Sequence, residues 1–233
     1  MKLLAAVIVI AAVIFGWNYL HRPIAYPPGI LIPTEPEQTA TTDVPFGYGV
    51  YELKPLAAFA LDARVLHRKV YRWDRQANLV PVDLALGWGP MSDQRVLDQV
   101  TITQSMRFYW FEYKSSPPIS KDEIISHSTN VHIIPSTPSI ASQCKSLRVG
   151  TLVRLKGELV EATGAGLGPW RSSLSRTDTG NGACELMFVT EMSILSAPVP
   201  QDQAQSLSAR VKNRSEDLRA RHPIVDATLT GRN

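Results

Sequence analysis

The residues of this chain that could do chemistry are few, and each grouping points to a different reaction. Asp178-Thr179-Gly180 spells the triplet with which aspartic proteases present one of two carboxylates that share a proton and activate water. That site needs a second copy and an apolar strand leading in. Here there is one copy, preceded by Leu174-Ser175-Arg176-Thr177, so the triplet reads as a loop built on an Asx-type turn. Gly164-Ala165-Gly166-Leu167-Gly168 has the composition of a phosphate-cradling loop. Cradling requires the loop to open a helix whose free N–H groups face the anion; this one runs into Pro169-Trp170 and a strand, which predicts a hairpin connection. His127 and His132 match no zinc-ligand spacing, even with Cys144 or Cys184 added. The sequence therefore calls for no metal and no cofactor.

Three further groupings remain. Cys144 and Cys184 are the only cysteines. A bridge between them would close a loop of about 40 residues and contribute roughly 4 kcal/mol on the chain-entropy model; the alternative is two buried thiols that never meet. Gly87-Trp88-Gly89 either presents an indole to a sugar or peptide or packs it between two backbone turns. Asn130 and His132 share the strand face opposite Val131 and Ile133, so Trp88, Asn130 and His132 form the candidate binding surface. Finally, His132, Asp93, Arg176 and Asp178 converging on one cleft would suit a hydrolase. No nucleophile-plus-base or multi-ligand metal spacing accompanies them.

These residues must be positioned by a body whose edges the sequence marks. Leu3 to Phe15 is an unbroken apolar run behind Lys2, extended to Leu20 with Trp17 and Tyr19 at its exit. At about 1.5 Å per residue, roughly eighteen such residues nearly cross a hydrocarbon core about 30 Å thick. The aromatic exit is poor signal-cleavage chemistry, so residues 1–22 are expected to be an uncleaved transmembrane anchor, with residues 3–20 in the membrane. A short N-terminus before a first apolar segment commonly stays inside, which places the remainder outside the cytoplasm. Residues 23–45 hold six prolines, the composition of an extended spacer. After residue 197 the chain turns polar, a tail over 198–233. With 24 Lys+Arg against 21 Asp+Glu and no basic cluster, nothing argues for nucleic acid.

Within residues 46–197, read as a single globular domain, the pattern is mixed. Leu56 to Ala60 begins helix-like and becomes strand-like by Ala63. Ser92 is expected to cap a short helix, Ser120 with Glu123 spells a capping box, and Pro138 suits a helix's first position. Val100 to Tyr113 reads as two strands or one bent strand with aromatics on both faces. The alternation Val153, Leu155 against Arg154, Lys156 marks a half-buried strand, with a bulge or a sharp bend at Gly157. The expected fold is α+β: mostly antiparallel β, as an OB-like small barrel or a curled sheet, with two or three short helices, preceded by one transmembrane helix.

Three stretches, 83–93 (DLALGWGPMSD), 130–135 (NVHIIP) and 172–186 (SSLSRTDTGNGACEL), resemble those of a family of uncharacterised, membrane-anchored bacterial proteins. The resemblance spans roughly residues 46–190 and implies one continuous domain; it implies no activity. Two functions follow as expectations. The first is a non-catalytic binding or assembly module at the inner membrane, single-pass, with its globular domain periplasmic or otherwise extracytoplasmic, and an envelope protein or polymer as partner. The second is an envelope-associated hydrolase with a cleft around His132, Asp93, Arg176 and Asp178.

Overall fold

In the computed structural model, the described residues are 22–164 and 166–197, together with 10–11 and 15–16. The proposed anchor over residues 3–20 and the polar tail from 198 lie essentially outside them. Among the described residues no helix is long and apolar enough to cross a membrane.

Burial alternates from Leu53 to Ala63 within Tyr51–Val70, which form one 20-residue strand, β3. The helix-like start expected at Leu56 is not formed. Ala57, Phe59, Leu61 and Ala63 all face the core, a two-residue period that only a strand satisfies. β3 is long enough to pair twice. Its last third runs antiparallel to β4 (Val82–Gly87), and its first two thirds run antiparallel to β8 (Leu152–Gly164). β4 pairs with β7 (Ser128–Pro135), β7 runs parallel to β10 (Glu185–Ile194), and β10 returns antiparallel to β8. The sheet is therefore mostly antiparallel and strongly curled, and the architecture is α+β. Its concave side encloses the main core, including Phe59, Leu84, Val131, Leu155 and Met187.

Curling requires β8 and β10 to touch at Gly157. A Cβ there would lie 1.9 Å from the Phe188 carbonyl oxygen, and the β8–β10 register slips between Val189 and Glu191. The mid-strand glycine, where a bulge or sharp bend is expected, is thus the place where two backbones meet.

Between residues 22 and 197 the structure has three short α-helices. α1 (Gln94–Leu97) is capped by Asp93, not by Ser92: the Asp93 carboxylate accepts from the Arg95 N–H. α2 (Lys121–Ser126) carries the expected capping box of Ser120 and Glu123. α3 (Pro138–Ser146) starts on Thr137, with proline in its first turn, and packs Ile140 and Cys144 against the main core. β5 (Val100–Ser105) and β6 (Phe108–Tyr113) form a separate two-stranded sheet joined by Met106 and Arg107. Tyr109 and Phe111 pack with Leu66, Ala85 and Ile102, so the hairpin covers the outer face of the curled sheet. β8 continues through the glycine-rich loop into β9 (Leu167–Arg171), the expected hairpin.

The proline-rich segment is not a free spacer. Ile24 donates to the Val149 carbonyl at 2.8 Å, Leu31 and Ile32 donate to Ser92 Oγ at 3.0 Å, and Gly89 donates to the Ile32 carbonyl at 2.7 Å. Glu37–Thr39 then adds to β3 as strand β1, and Phe46–Tyr48 follows as β2. Prolines favour an extended chain, but the amides between them are donors and the body supplies acceptors. Residues 24–48 are therefore part of the folded body, which the sequence reading began at residue 46.

Gly157→Ala is expected to destabilise the fold by about 3 kcal/mol, because neither backbone can retreat from the new methyl group. A lowered urea midpoint, with local shifts at Phe188 in NMR spectra, would register this.

Candidate functional site

Asp83 is the one charged side chain in the otherwise apolar β4, and it is wholly buried. Register places it directly opposite His132 on β7, with Nδ1 2.9 Å from the carboxylate. Arg107, from the β5–β6 turn, reaches the same carboxylate at 3.2 Å, Asp74 at 2.7 Å and the Val80 carbonyl at 2.9 Å. Its guanidinium lies 3.5 Å over the Tyr71 ring. Burial, followed by the Asp83 charge, pushes the Tyr71 hydroxyl above its ordinary value. The His132 ring packs 4.8 Å from that of Trp170 on β9. Met106 and Arg107 both hold positive φ, +50° and +69°, the two-residue turn that suits a hairpin but is costly for residues other than glycine, asparagine and aspartate. The Arg107 ion pairs hold that turn in place.

Beside this cluster, Gln104 Nε2 donates to Asn130 Oδ1 at 2.5 Å, and Asn130 Nδ2 donates to the Arg107 carbonyl at 3.2 Å. Past Asn130 a cleft of about 930 Å³ opens between β6 and the loop that leads into β10. One wall is aromatic, with Phe108, Trp110 and Tyr113; the other is the loop from Ser175 to Cys184. The loop is pinned from within: Ser173 Oγ donates to Asp178 at 2.7 Å, and the Ser173 N–H donates to the Cys184 carbonyl at 3.0 Å. Glu185 lies at the base of the cleft, buried, 2.9 Å from Arg176 and accepting from the Thr129 hydroxyl. Burial pushes its carboxyl up to about 7, against the pull of the Arg176 guanidinium. Arg176 also lies 5.0 Å over the Phe59 ring.

Of the four residues expected to converge, Arg176 and Asp178 line this cleft, whereas His132 and Asp93 do not. Asp93 caps α1 and accepts from the Gly29 N–H at 2.9 Å, and Arg95 holds its carboxyl down at about 2. The candidate binding surface is also corrected. Trp88 is 0 % exposed, and its indole N–H donates to Glu35 at 2.6 Å; Asn130 and His132 are buried too, beneath the hairpin and Trp170. The strand-face argument located Asn130 and His132 correctly, but that face is covered. His127 and His132 face different partners, Glu35 and Asp83.

The two cysteines are free thiols, not a bridge. Cys144 packs with Val131 and Ile133 on the core face of β7, and Cys184 lies 3.6 Å from Asn130 on the opposite face. Burial pushes the thiols up to about 12 and about 11, so neither is a ready nucleophile.

Sequence reasoning missed Asp83, Arg107, Glu185 and the aromatic edge of β6. A lone carboxylate within an apolar run was the available signal for Asp83 and for Glu185, because such a group must find a partner. Nothing local marks Arg107, whose side-chain partners lie 24 or more residues away. Compared with known proteins, the chain matches no family model and no curated protein.

Arg107→Ala should destabilise the protein by about 3 kcal/mol, since it strands the buried Asp83 carboxylate; thermal unfolding would measure it. Glu185 supplies a pH signature. Its folded value lies above the ordinary 4.5, so its contribution to stability is complete below pH 4.5 and is lost as pH rises through about 7. Glu185→Gln should remove up to about 3 kcal/mol of that decline. The difference between variant and wild-type urea midpoints across pH 4.5 to 8 isolates it.

Proposed function

We propose that this chain is a non-catalytic binding or assembly module, tethered through residues 3–20 to the inner membrane, with its body outside the cytoplasm. Its partner, an envelope protein or polymer, occupies the cleft between β6 and the loop 175–184. The cleft itself carries this reading: an aromatic wall faces hydrogen-bonding and charged groups, in a volume of about 930 Å³ that suits a ligand. Among the described residues that line it there is no activated nucleophile. Cys184 is held as a thiol, and Asp178 is engaged by Ser173.

The strand order supports the same reading. The pairing path β3-β4-β7-β10-β8 leads back to β3, with β7 and β10 parallel and α3 between β7 and β8. We read this as an OB-like arrangement, a scaffold that commonly binds ligands on the face of its second and third strands. The second and third strands of this path, β4 and β7, carry the hairpin that walls the cleft. The likeness is one of architecture and names no ligand.

The hydrolase reading has one observation in its favour: Glu185, titrating near neutrality, shares the cleft with Asp178 and Arg176. The two readings part on Thr179→Trp and Glu185→Gln. Thr179 is an exposed residue of the cleft wall, and an indole there would fill the cleft with little effect on folding. Co-purification from native membranes should recover a stoichiometric partner with wild-type protein and lose it with Thr179→Trp. Turnover of an envelope polymer abolished by Glu185→Gln would instead establish the hydrolase.

A further inference from the structure

β6 is an edge strand, and its edge is open. Among the described residues β5 and β6 make a sheet of two strands, and β6 has no hydrogen-bonded neighbour on its far side. In a hairpin closed by a two-residue turn, the flanking pair is hydrogen-bonded and the pattern then alternates. Ser105 opposite Phe108 is that flanking pair, followed by Gln104 opposite Tyr109 and so on to Val100 opposite Tyr113. The backbone groups of Phe108, Trp110 and Glu112 therefore point to β5, and those of Tyr109, Phe111 and Tyr113 point away from it. Every residue from Phe108 to Tyr113 lines the cleft. Side chains alternate between faces, so consecutive lining residues mean that the backbone edge itself faces the cavity.

This edge has none of the devices that blunt such strands. Phe-Tyr-Trp-Phe-Glu-Tyr contains no proline and no lysine, and its pairing with β5 has no bulge. Trp110 is 55 % exposed beside it. The loop 175–184 stands opposite the edge, so a single slim segment can enter. A second copy of this chain would bring its own loop along with its β6, and the two edges could not meet. The lining charges narrow the occupant further. Among the described lining residues Arg176 is paired with Glu185 at 2.9 Å, which leaves the carboxylates of Glu112 and of Asp178, the latter accepting from Ser173 Oγ, beside the ammonium of Lys121.

We propose that the open edge of β6 takes an extended segment of a partner polypeptide, carrying at least one lysine or arginine, as the third strand of the β5–β6 sheet. The inference rests on the cleft being the binding site. Main-chain hydrogen bonds from Tyr109, Phe111 and Tyr113 supply affinity. Alternate side chains of the segment face the Phe108–Trp110 side and the Thr129–Glu185 base, which supplies selectivity.

The test uses the full chain in detergent micelles and a displayed library of random dodecapeptides. Recovered peptides should carry a basic residue and protect the amides of Tyr109, Phe111 and Tyr113 from hydrogen exchange. Tyr113→Pro removes one outward N–H and leaves the β5 ladder intact, so it should weaken binding at least tenfold, or about 1.4 kcal/mol. A recovered peptide N-methylated at the residues that face β6 should lose affinity similarly, which probes the same bonds without altering the protein. Peptides that bind Tyr113→Pro and wild type equally, or leave those amides unprotected, overturn strand addition; if Thr179→Trp still blocks them, the cleft reading survives. Failure to recover any peptide also overturns strand addition, and the partner's response to Thr179→Trp decides the cleft reading separately. Peptides that bind equally well to Thr179→Trp sink both.

Discussion

A carboxylate with no access to water must be compensated where it stands, and the outer half of this protein is arranged around one such group. Asp83 is the second residue of an otherwise apolar strand, and its neighbours come from elements far apart in the chain: His132 across the sheet, Arg107 from the hairpin turn, and Tyr71 from just past the end of β3. Removing one partner would leave a buried charge, which costs several kcal/mol; replacing the group with an apolar one would not. The network therefore acts less as a source of net stability than as a register device. It admits only the arrangement in which the β5–β6 hairpin lies across β4 and β7 with Arg107 at its tip.

That placement creates the cleft. Held by Arg107 at one end and by packing of Tyr109 and Phe111 along its length, the hairpin lies flat on the sheet and presents its far edge toward the loop before β10. The strained backbone at Met106 and Arg107 belongs to the same constraint. Positive φ at two ordinary residues persists only where surrounding contacts over-determine it, and here the guanidinium contacts do so. Glu185 repeats the pattern at the base of the cleft, but with one cation and a hydroxyl its compensation is thinner. Its carboxyl is consequently poised near neutrality.

The N-terminal strap extends this logic to the other side of the body. Ser92, Asp93 and Gln94 follow β4 and spend their side-chain acceptors on amides of Tyr26, Gly29, Leu31 and Ile32, while Glu35 receives the Trp88 indole. Residues that looked like a catalytic acid and a binding aromatic are thus fastenings for the segment that leads back to the proposed anchor. Residues 24–48 are thus a strap fixed along the body and not a free linker.

What the sequence determined by itself was local. Local pattern named the strands at 130–134 and 151–161, Ser120 with Glu123 announced α2, and Gly157 marked a bulge or sharp bend, because these signals depend only on neighbours along the chain. It also gave the α+β class and the parity that separates Asn130 and His132 from Val131 and Ile133. Tertiary structure decided what covers each face, and with it every functional assignment. Parity says which side a residue points to; whether that side meets water, a hairpin or Trp170 depends on elements 20 to 60 residues away. So it was packing that buried Trp88, Asn130 and His132, kept Cys144 and Cys184 on opposite sides of β7, and separated Asp93 from Arg176. Packing also left the backbone edge of β6 open, a feature no residue type encodes.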